Sequence, residues 1–153
     1  MKLSIPNYND IEINNLVLDY NGTIAYNGTL LTEVKELFPK LLKYFNLYVI
    51  TADTFGSVKE ELKDFNINIV VLKSDNHTQE KADFVKNLQN TLAIGNGNND
   101  AQMLKEATLS IAIVGKEGCA TKTLLNSQIV CHSIKDALEL PLNPKQLVAT
   151  LRR

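Results

Sequence analysis

The segment that decides the fold is residues 16–23, which read Leu-Val-Leu-Asp-Tyr-Asn-Gly-Thr. Three apolar residues in a row, Leu16 to Leu18, predict a buried strand that ends at Asp19. Gly22 lets the chain turn sharply soon after that strand, since glycine adopts backbone angles that other residues avoid. The pattern therefore predicts a carboxylate at the end of a strand, the place where open α/β sheets bind their ligands.

Apolar runs and segments of helical periodicity alternate along nearly the whole chain. The strand at residues 67–72 is apolar enough to be buried on both faces. The other predicted strands are residues 16–18, 47–50, 92–94, 109–114 and 129–131. Helical periodicity predicts helices over about residues 78–88, 101–107 and 120–125. Thr32 is expected to be the N-cap of another helix, and the pairs Ser57–Glu60 and Ser133–Asp136 have the capping-box spacing of two more. Asn143-Pro144 opens the last helix, with proline at its first position. This alternation predicts one α/β domain over residues 1–153, with a three-layer, Rossmann-like, doubly wound parallel sheet.

Composition and charge favour a globular protein of the cytoplasm. The 153 residues are 44% hydrophobic and 22% charged, and acidic and basic residues are interspersed at a net charge of −1. That charge pattern predicts neither a nucleic acid nor a membrane surface as partner. No apolar run approaches the roughly 20 residues of a membrane span, and the N-terminal segment has no secretory signal. Cys119 and Cys131 lack the spacing of a metal-binding pair, as expected of reduced cysteines.

Polar residues follow other predicted strands as well. Thr51 follows the second strand, a loop from Gly95 to Asp100 follows the fourth, and Lys81 lies near the start of a helix. A carboxylate such as Asp19 can attack phosphorus and form an aspartyl-phosphate. A fixed lysine charge stabilises a phosphoryl group during transfer. Mg²⁺ is usually held by one or two carboxylates with water and phosphate oxygens, so Asp19 and Asp100 could together hold it.

Each of these features also has an ordinary structural role. An aspartate after a strand, a threonine at a strand end and a Gly-Asn loop are often parts of simple turns. Lys86 competes with Lys81 for the role of the fixed charge. A dinucleotide-binding loop at Gly95-x-Gly97 is a weaker alternative, because it lacks the third glycine and follows the fourth strand instead of the first.

Four segments, in order, resemble the motifs of the haloacid dehalogenase (HAD) superfamily. Residues 18–23 are similar to its first motif, Asp-x-Asp-Gly-Thr, and residues 49–54, Val-Ile-Thr-Ala-Asp-Thr, to its second. Residues 80–89 and 92–107 resemble the third and fourth motifs. The pattern, which runs from Leu16 to Gly115, is most similar to the phosphorylation domains of P-type ATPases. Their Thr-Gly-Asp element corresponds to Thr51-Ala52-Asp53.

The resemblance implies a Mg²⁺-dependent phosphatase that acts on a phosphorylated substrate through an aspartyl-phosphate at Asp19. The residues that it implies for catalysis are Asp19, Asn21, Thr51 and Lys81. Those that it implies for phosphate binding are Asn21, Gly22, Thr51, Ala52 and Lys81. Those that it implies for Mg²⁺ are Asp19, the backbone carbonyl of Asn21, Asn96 and Asp100. Tyr20 is expected to line the crevice wall and to shape substrate entry.

Two positions depart from the common HAD pattern. Asn21 stands at the position of the acid/base aspartate, and Asn96 at the first aspartate of the fourth motif. An amide transfers no proton at neutral pH, and general acid–base catalysis is typically worth about 10²–10⁴ in rate. The sequence therefore predicts weak Mg²⁺ binding and slow turnover, or turnover confined to activated phosphates. The alternative is a degenerate HAD domain that binds a phospho-ligand or a protein partner without turnover.

The spacing of the motifs leaves no room for a cap domain. Only 32 positions separate Asp19 from Thr51, and 30 separate Thr51 from Lys81. Neither gap holds a cap or the nucleotide-binding domain of an ion pump, so ion transport is not expected. A site without a cap is open to water and to large substrates unless a second subunit covers it. A homo-oligomer is a candidate for that cover.

Overall fold

The computed structural model describes residues 1–52 and 57–153. Ten strands are found in these residues. They are β1 (Lys2–Leu3), β2 (Ile11–Glu12), β3 (Asn15–Asp19), β4 (Ala25–Tyr26), β5 (Thr29–Leu30), β6 (Asn46–Thr51), β7 (Asn68–Val71), β8 (Thr91–Gly95), β9 (Leu109–Ile113) and β10 (Ile129–Cys131). The helices are α1 (Thr32–Leu41), α2 (Ser57–Leu62), α3 (His77–Leu88), α4 (Ala101–Glu106), α5 (Thr121–Leu125), α6 (Ile134–Glu139) and α7 (Pro144–Leu151).

Six of the strands form one parallel sheet, in the order β10-β9-β8-β3-β6-β7. The chain builds outward from β3 to β7, returns to β8 on the other side of β3, and continues to β10. This reversal is the topological switch point of a doubly wound sheet, and ligands bind beyond the carboxyl ends of the strands there. The predicted fold class is therefore confirmed, and Asp19 lies at the switch point.

Helices cover both faces of the sheet, because β3 alternates its side chains between two apolar clusters. Leu16 and Leu18 pack on one face in a cluster that includes Phe38 of α1. Val17 points to the opposite face, where it joins Val85 of α3 and others. Both faces of the central strand are thus buried, and its carboxyl end is held by two layers of helices.

The edge strand β7 differs from the prediction. It spans Asn68–Val71 and is only half-buried, whereas residues 67–72 were predicted to be buried on both faces. The reason is its place in the sheet: β7 pairs with β6 alone, so one side has no neighbouring strand. An apolar run therefore predicts burial correctly for the central strands and overstates it at the edge.

The N-terminal residues of four helices were predicted, and the structure confirms two of these predictions. Ser133 caps α6, since its hydroxyl accepts a hydrogen bond from the Asp136 amide at 3.1 Å. Pro144 occupies the first position of α7, as predicted. Thr32 is the first residue of α1 and not its N-cap, because Leu31 occupies that position without a side-chain cap. The residues immediately before Ser57 lie outside the described part of the chain, so the Ser57–Glu60 capping box stays a prediction.

Two short antiparallel pairs were not anticipated from the sequence. One joins β1 and β2, and the other is the hairpin β4–β5, which directly follows the first motif. The hairpin turns at Asn27 and Gly28, both with positive φ, as a two-residue turn between twisted strands requires. Within the described residues, the connection from Asp19 to α1 contains this hairpin and no cap domain.

None of the helices in residues 1–52 and 57–153 has the length and the apolar character that crossing a bilayer demands.

Candidate active site

Asp19 is the last residue of β3, and its carboxylate has a partner on each oxygen. Oδ1 accepts a hydrogen bond from Lys81 Nζ at 2.6 Å, and Oδ2 accepts one from the Thr23 hydroxyl at 3.1 Å. The Asp19 side chain keeps 11% of its surface exposed, whereas that of Lys81 keeps 1%. Asp19 therefore lies at the boundary between a buried charge cluster and solvent.

Lys81 and Asp100 form the buried part of this cluster. Lys81 projects from α3, and its ammonium also donates to Asp100 Oδ1 at 2.7 Å. The second oxygen of Asp100 accepts hydrogen bonds from the backbone amides of Asn96 at 3.0 Å and Gly97 at 2.8 Å. Lys86, the alternative to Lys81, is exposed on the same helix.

The cluster carries two carboxylates against one ammonium, and this imbalance shifts the pKa of Asp19. Burial raises the pKa of Asp19 to about 7, Asp100 adds to the rise, and Lys81 and Thr23 oppose it. Burial acts to lower the pKa of Lys81, but the two carboxylates outweigh it and the pKa is raised. Lys81 is therefore a permanent charge at neutral pH, and Asp19 is the member of the cluster whose charge can change.

Thr23, the last residue of the first motif, joins Asp19 to Asn96. Its hydroxyl lies 3.1 Å from Asp19 Oδ2 and 3.2 Å from Asn96 Oδ1. A hydroxyl has one proton, so only one of these oxygens accepts it at a time. The Asn96 amide group donates to Gly118 O at 3.1 Å, which orients its oxygen toward Thr23. Thr23 was not among the predicted site residues, although its place in the first motif was a usable signal.

The predicted phosphate-binding residues Asn21, Thr51 and Ala52 lie near the carboxyl ends of the strands, as Asp19 does. Thr51 ends β6 and is buried, one residue beyond Ile50, which is the partner of Asp19 in the sheet. Ala52 follows and is exposed, as is Asn21 in the turn after β3. Asp53 lies outside the described residues.

Gly22 is required by contact as well as by conformation. Its φ is +82°, and a Cβ at this position would lie 2.7 Å from Asn96 Nδ2 and 2.8 Å from Glu117 Oε2. Such contacts are far below ordinary van der Waals separation. Glycine therefore lets the first motif approach the Asn96 loop and the turn that carries Glu117.

Tyr20 does not line the crevice, contrary to the prediction. Its side chain is 1% exposed and belongs to the apolar core. The hydroxyl donates to Gly28 O at 2.9 Å, in the turn of the hairpin. Strand alternation explains the difference, because Tyr20 follows Asp19 and points to the opposite side. Tyr20 therefore anchors the turn of the hairpin to the apolar core.

A cavity of about 310 Å³ adjoins the site between the hairpin, the turn after β9 and the start of α6. It borders the first motif at Gly22 and Thr23, although Asp19 does not line it. Charged and aromatic residues that sequence reasoning did not select surround it: Tyr26, Glu33, Lys116, Glu117 and His132. These residues are far apart in the chain, and no local pattern marks them as a group.

The oxygen atoms near Asp19 are the type of ligand that a hard cation such as Mg²⁺ prefers, but their number is small. Within the described residues, no group of three or more His, Cys, Asp or Glu side chains is placed to hold a metal ion. Asp100 was predicted to contact the metal. Its side chain is fully buried and accepts hydrogen bonds from Lys81 and two backbone amides, and its contact with a metal stays a prediction. The other predicted donors are the Asp19 carboxylate, the side-chain oxygen of Asn96 and the backbone carbonyl of Asn21. One carboxylate with neutral oxygens is compatible with Mg²⁺, which also uses water and phosphate oxygens.

Comparison with known proteins supports the fold. Residues 83–117 match the family model of haloacid dehalogenase-like hydrolases. The fold is similar to that of the 3-deoxy-D-manno-octulosonate 8-phosphate phosphatase from Moraxella catarrhalis, with a TM-score of 0.69 over 92% of this chain and 94% of that one, at 18% identity. The family model matches part of the chain, and the chain as a whole has the fold of HAD phosphatases. The Moraxella protein was crystallised in complex with a magnesium ion, a phosphate ion and a KDO molecule.

The chain is also similar to two further proteins. A zinc-transporting P-type ATPase is similar with a TM-score of 0.64 and 16% identity, over 80% of this chain and 20% of the pump. An uncharacterised protein of Methanocaldococcus jannaschii is 54% identical over 61 residues, which are 40% of this chain and 66% of that protein, just under two thirds of its length. The same fold therefore occurs in phosphatases and in a pump.

Proposed function

We propose that this chain is a HAD-type, Mg²⁺-dependent phosphohydrolase that forms an aspartyl-phosphate at Asp19. The observation that carries the proposal is the buried ion cluster, in which Lys81 contacts both Asp19 and Asp100 and only Asp19 reaches solvent. Burying a lysine with two carboxylates is costly unless every group is paired. A cluster that leaves one carboxylate open toward solvent is arranged for chemistry at that carboxylate.

The first step transfers the phosphoryl group to Asp19. A carboxylate oxygen attacks phosphorus, a P–O bond forms, and the bond to the leaving group breaks with its electron pair. Lys81, at 2.6 Å from Asp19 Oδ1, offsets the negative charge that gathers around the phosphoryl oxygens. The Thr51 hydroxyl, at the end of the neighbouring strand, is proposed to donate to one of those oxygens.

Mg²⁺ would be held by the Asp19 carboxylate, the Asn21 carbonyl and the Asn96 side-chain oxygen. When bound, it supplies positive charge against the phosphoryl oxygens and lowers the electrostatic barrier between two anions. Asn96 contributes no charge, so we expect a higher Mg²⁺ requirement than an aspartate at this position would give. The role of Asp100 is to fix the position of Lys81.

The substrate class follows from Asn21. This side chain cannot donate a proton to a leaving group. Phosphates whose leaving group departs without protonation, such as acyl and activated aryl phosphates, are therefore the expected substrates. Alkyl phosphates are expected to react much more slowly.

Phosphate release from acetyl phosphate and p-nitrophenyl phosphate tests this proposal, with Mg²⁺ and with EDTA. Wild type should release phosphate only with the metal, and Asp19→Ala should abolish release. Asp64→Ala removes an exposed aspartate that belongs to none of the four motifs and serves as the matched control. Release that persists in Asp19→Ala, or that does not depend on the metal, would show the proposal to be wrong.

The second candidate is a domain that binds a phospho-ligand without turnover. The amides at Asn21 and Asn96 favour it, since they remove an acid/base group and a charged metal ligand. Calorimetric titration with inorganic phosphate in Mg²⁺ distinguishes the two. Binding that needs Asp19, in a protein that releases no phosphate from either substrate, would support this candidate.

A further inference from the structure

Glu117 lies in a tight turn after β9, outside all four motifs. The turn spans Gly115 to Gly118 and closes with a hydrogen bond from the Gly118 amide to Gly115 O at 2.9 Å. Gly118 has a φ of +74°. Lys116, the first central residue, extends over the ring of Tyr26 in the hairpin, with its ammonium 5.2 Å from the ring centre. Glu117, the second central residue, extends toward the first motif instead.

The turn is attached to the fourth motif by hydrogen bonds to Asn96. Asn96 donates from its side chain to Gly118 O at 3.1 Å, and Asn96 O accepts from the Ala120 amide at 2.9 Å. The turn also passes close to the first motif, since a Cβ added to Gly115 would lie 4.0 Å from Gly22 O. The hydrogen bonds to Asn96 therefore place Glu117 near the first motif.

The Glu117 carboxylate lies directly over Gly22. A Cβ at residue 22 would be 2.8 Å from Glu117 Oε2 and also 2.8 Å from Asn96 Oδ1. Asn96 Oδ1 is in turn 3.2 Å from the Thr23 hydroxyl that contacts Asp19. Glu117 thus brings an acidic side chain to the mouth of the site, over the glycine that directly follows Asn21, the residue at the position of the usual acid/base aspartate.

We propose that Glu117 is the general base for hydrolysis of the aspartyl-phosphate, an inference that rests on the proposed function. In this step water attacks phosphorus and its proton passes to a Glu117 carboxylate oxygen. The bond between phosphorus and the Asp19 oxygen breaks, and its electron pair restores the Asp19 carboxylate. Inorganic phosphate leaves, and Glu117 releases the proton to solvent.

The surroundings of Glu117 suit this role. Its side chain is exposed, so it exchanges protons with bulk water between turnovers. Glu117 and Gly22 both line the cavity of about 310 Å³, which gives water a route to the first motif. Asn21 cannot accept the proton, and within the described residues the other acidic side chain in the lining, Glu33, comes from α1 across the cavity.

The lifetime of the phosphoenzyme tests the inference. The protein is mixed with acetyl phosphate and Mg²⁺, quenched in acid at intervals, and its phosphorylated fraction is measured by intact mass. Glu117→Gln should accumulate phosphoenzyme that decays about 10²–10⁴-fold more slowly than that of wild type. Glu36→Gln makes the same change at an exposed site on α1 and should decay like wild type. Formate should accelerate decay in Glu117→Ala, because a small carboxylate can occupy the vacated space.

The outcomes separate this inference from the proposed function. Phosphoenzyme that decays equally fast in wild type and Glu117→Gln would overturn the role of Glu117 alone. So would a Glu117→Gln variant that forms phosphoenzyme only at much higher Mg²⁺, since Glu117 would then be a metal ligand. Absence of both phosphoenzyme and metal-dependent phosphate release in wild type would overturn the proposed function, and the inference with it.

Discussion

Lys81 is buried and contacts two carboxylates at 2.6 and 2.7 Å, and it supplies the one positive charge of this cluster. Its two partners have different tasks. Asp100 is fully buried and accepts hydrogen bonds from Lys81 and two backbone amides, whereas Asp19 is partly exposed to solvent. At the scale of residues, the candidate site is a partly exposed carboxylate that a lysine links to a buried one.

Removing the lysine charge should destabilise the fold. Lys81→Met leaves two carboxylates facing each other in the interior, and breaking a buried ion pair costs about 3–5 kcal/mol of unfolding free energy. Lys86→Met, on the exposed face of the same helix, should change it by no more than about 0.5 kcal/mol. Urea unfolding of both variants measures this contrast. Equal effects would mean that the cluster is hydrated and weak.

The raised pKa of Asp19 predicts a pH dependence of stability in EDTA. The folded chain keeps the Asp19 proton up to about pH 7, while the unfolded chain loses it near 3.8. Between these values the folded state binds more protons, so the contribution of Asp19 to the unfolding free energy falls as pH rises and is constant above about 7. Wild type should therefore lose stability relative to Asp19→Asn across this window. A difference that stays constant with pH, measured by urea unfolding, would contradict the raised pKa.

At the scale of elements, the approach of three loops creates the site. The turn after β3, the loop after β8 and the turn after β9 meet at Gly22, Asn96 and Glu117. Parallel strands deliver these loops to one edge of the sheet, which is why residues 22, 96 and 117 become neighbours. The hairpin β4–β5 then flanks them, supported by the hydroxyl of Tyr20.

Alanine substitutions at Gly22 and Gly28 distinguish the cost of backbone strain from the cost of steric contact. Gly22 and Gly28 have similar φ values of +82° and +77°, but a Cβ on Gly28 would meet nothing within 4 Å. Gly28→Ala should cost about 1–2 kcal/mol from the left-handed backbone and retain phosphatase activity. Gly22→Ala should cost more and abolish activity, because Asn96 and Glu117 must move. Thermal unfolding and phosphate release from acetyl phosphate test the pair, and equal losses in both variants would refute the contact argument.

At the scale of the whole molecule, β3 is buried between two helix layers, so we expect a ligand to reach it at its carboxyl end and to stabilise the folded state there. A ligand that binds the folded state at about 100 times its Kd adds about 2.7 kcal/mol to the unfolding free energy. Mg²⁺ with phosphate should therefore raise the Tm of wild type, by about 2–4 °C for each kcal/mol in a chain of this size. EDTA should reverse the rise, and Asp19→Ala should lack it. A similar rise in Asp19→Ala, seen by calorimetry, would place the ligand elsewhere.

Much of this molecule was predictable because it depends on local pattern. The strand–helix alternation, the parallel sheet and the position of Asp19 at a strand end follow from apolar periodicity and from the motifs in order. The degree of burial of β7 and the direction of Tyr20 were predicted wrongly, since both depend on which neighbours surround the segment. The hairpin β4–β5 was missed because its strands have only two residues each.

The sequence by itself therefore determined the architecture, the resemblance to HAD proteins and the selection of Asp19, Lys81 and Asp100, because short-range periodicity and the order of the motifs encode them. The tertiary structure alone decided that Asp100 is buried behind Lys81, that Thr23 links Asp19 to Asn96, and that Glu117 lies over Gly22. Residues 22 and 117 are remote in the chain. Their loops meet because β3 pairs with β8, and β8 with β9, in one parallel sheet. Contacts of that kind arise from packing between distant segments, which no local pattern records.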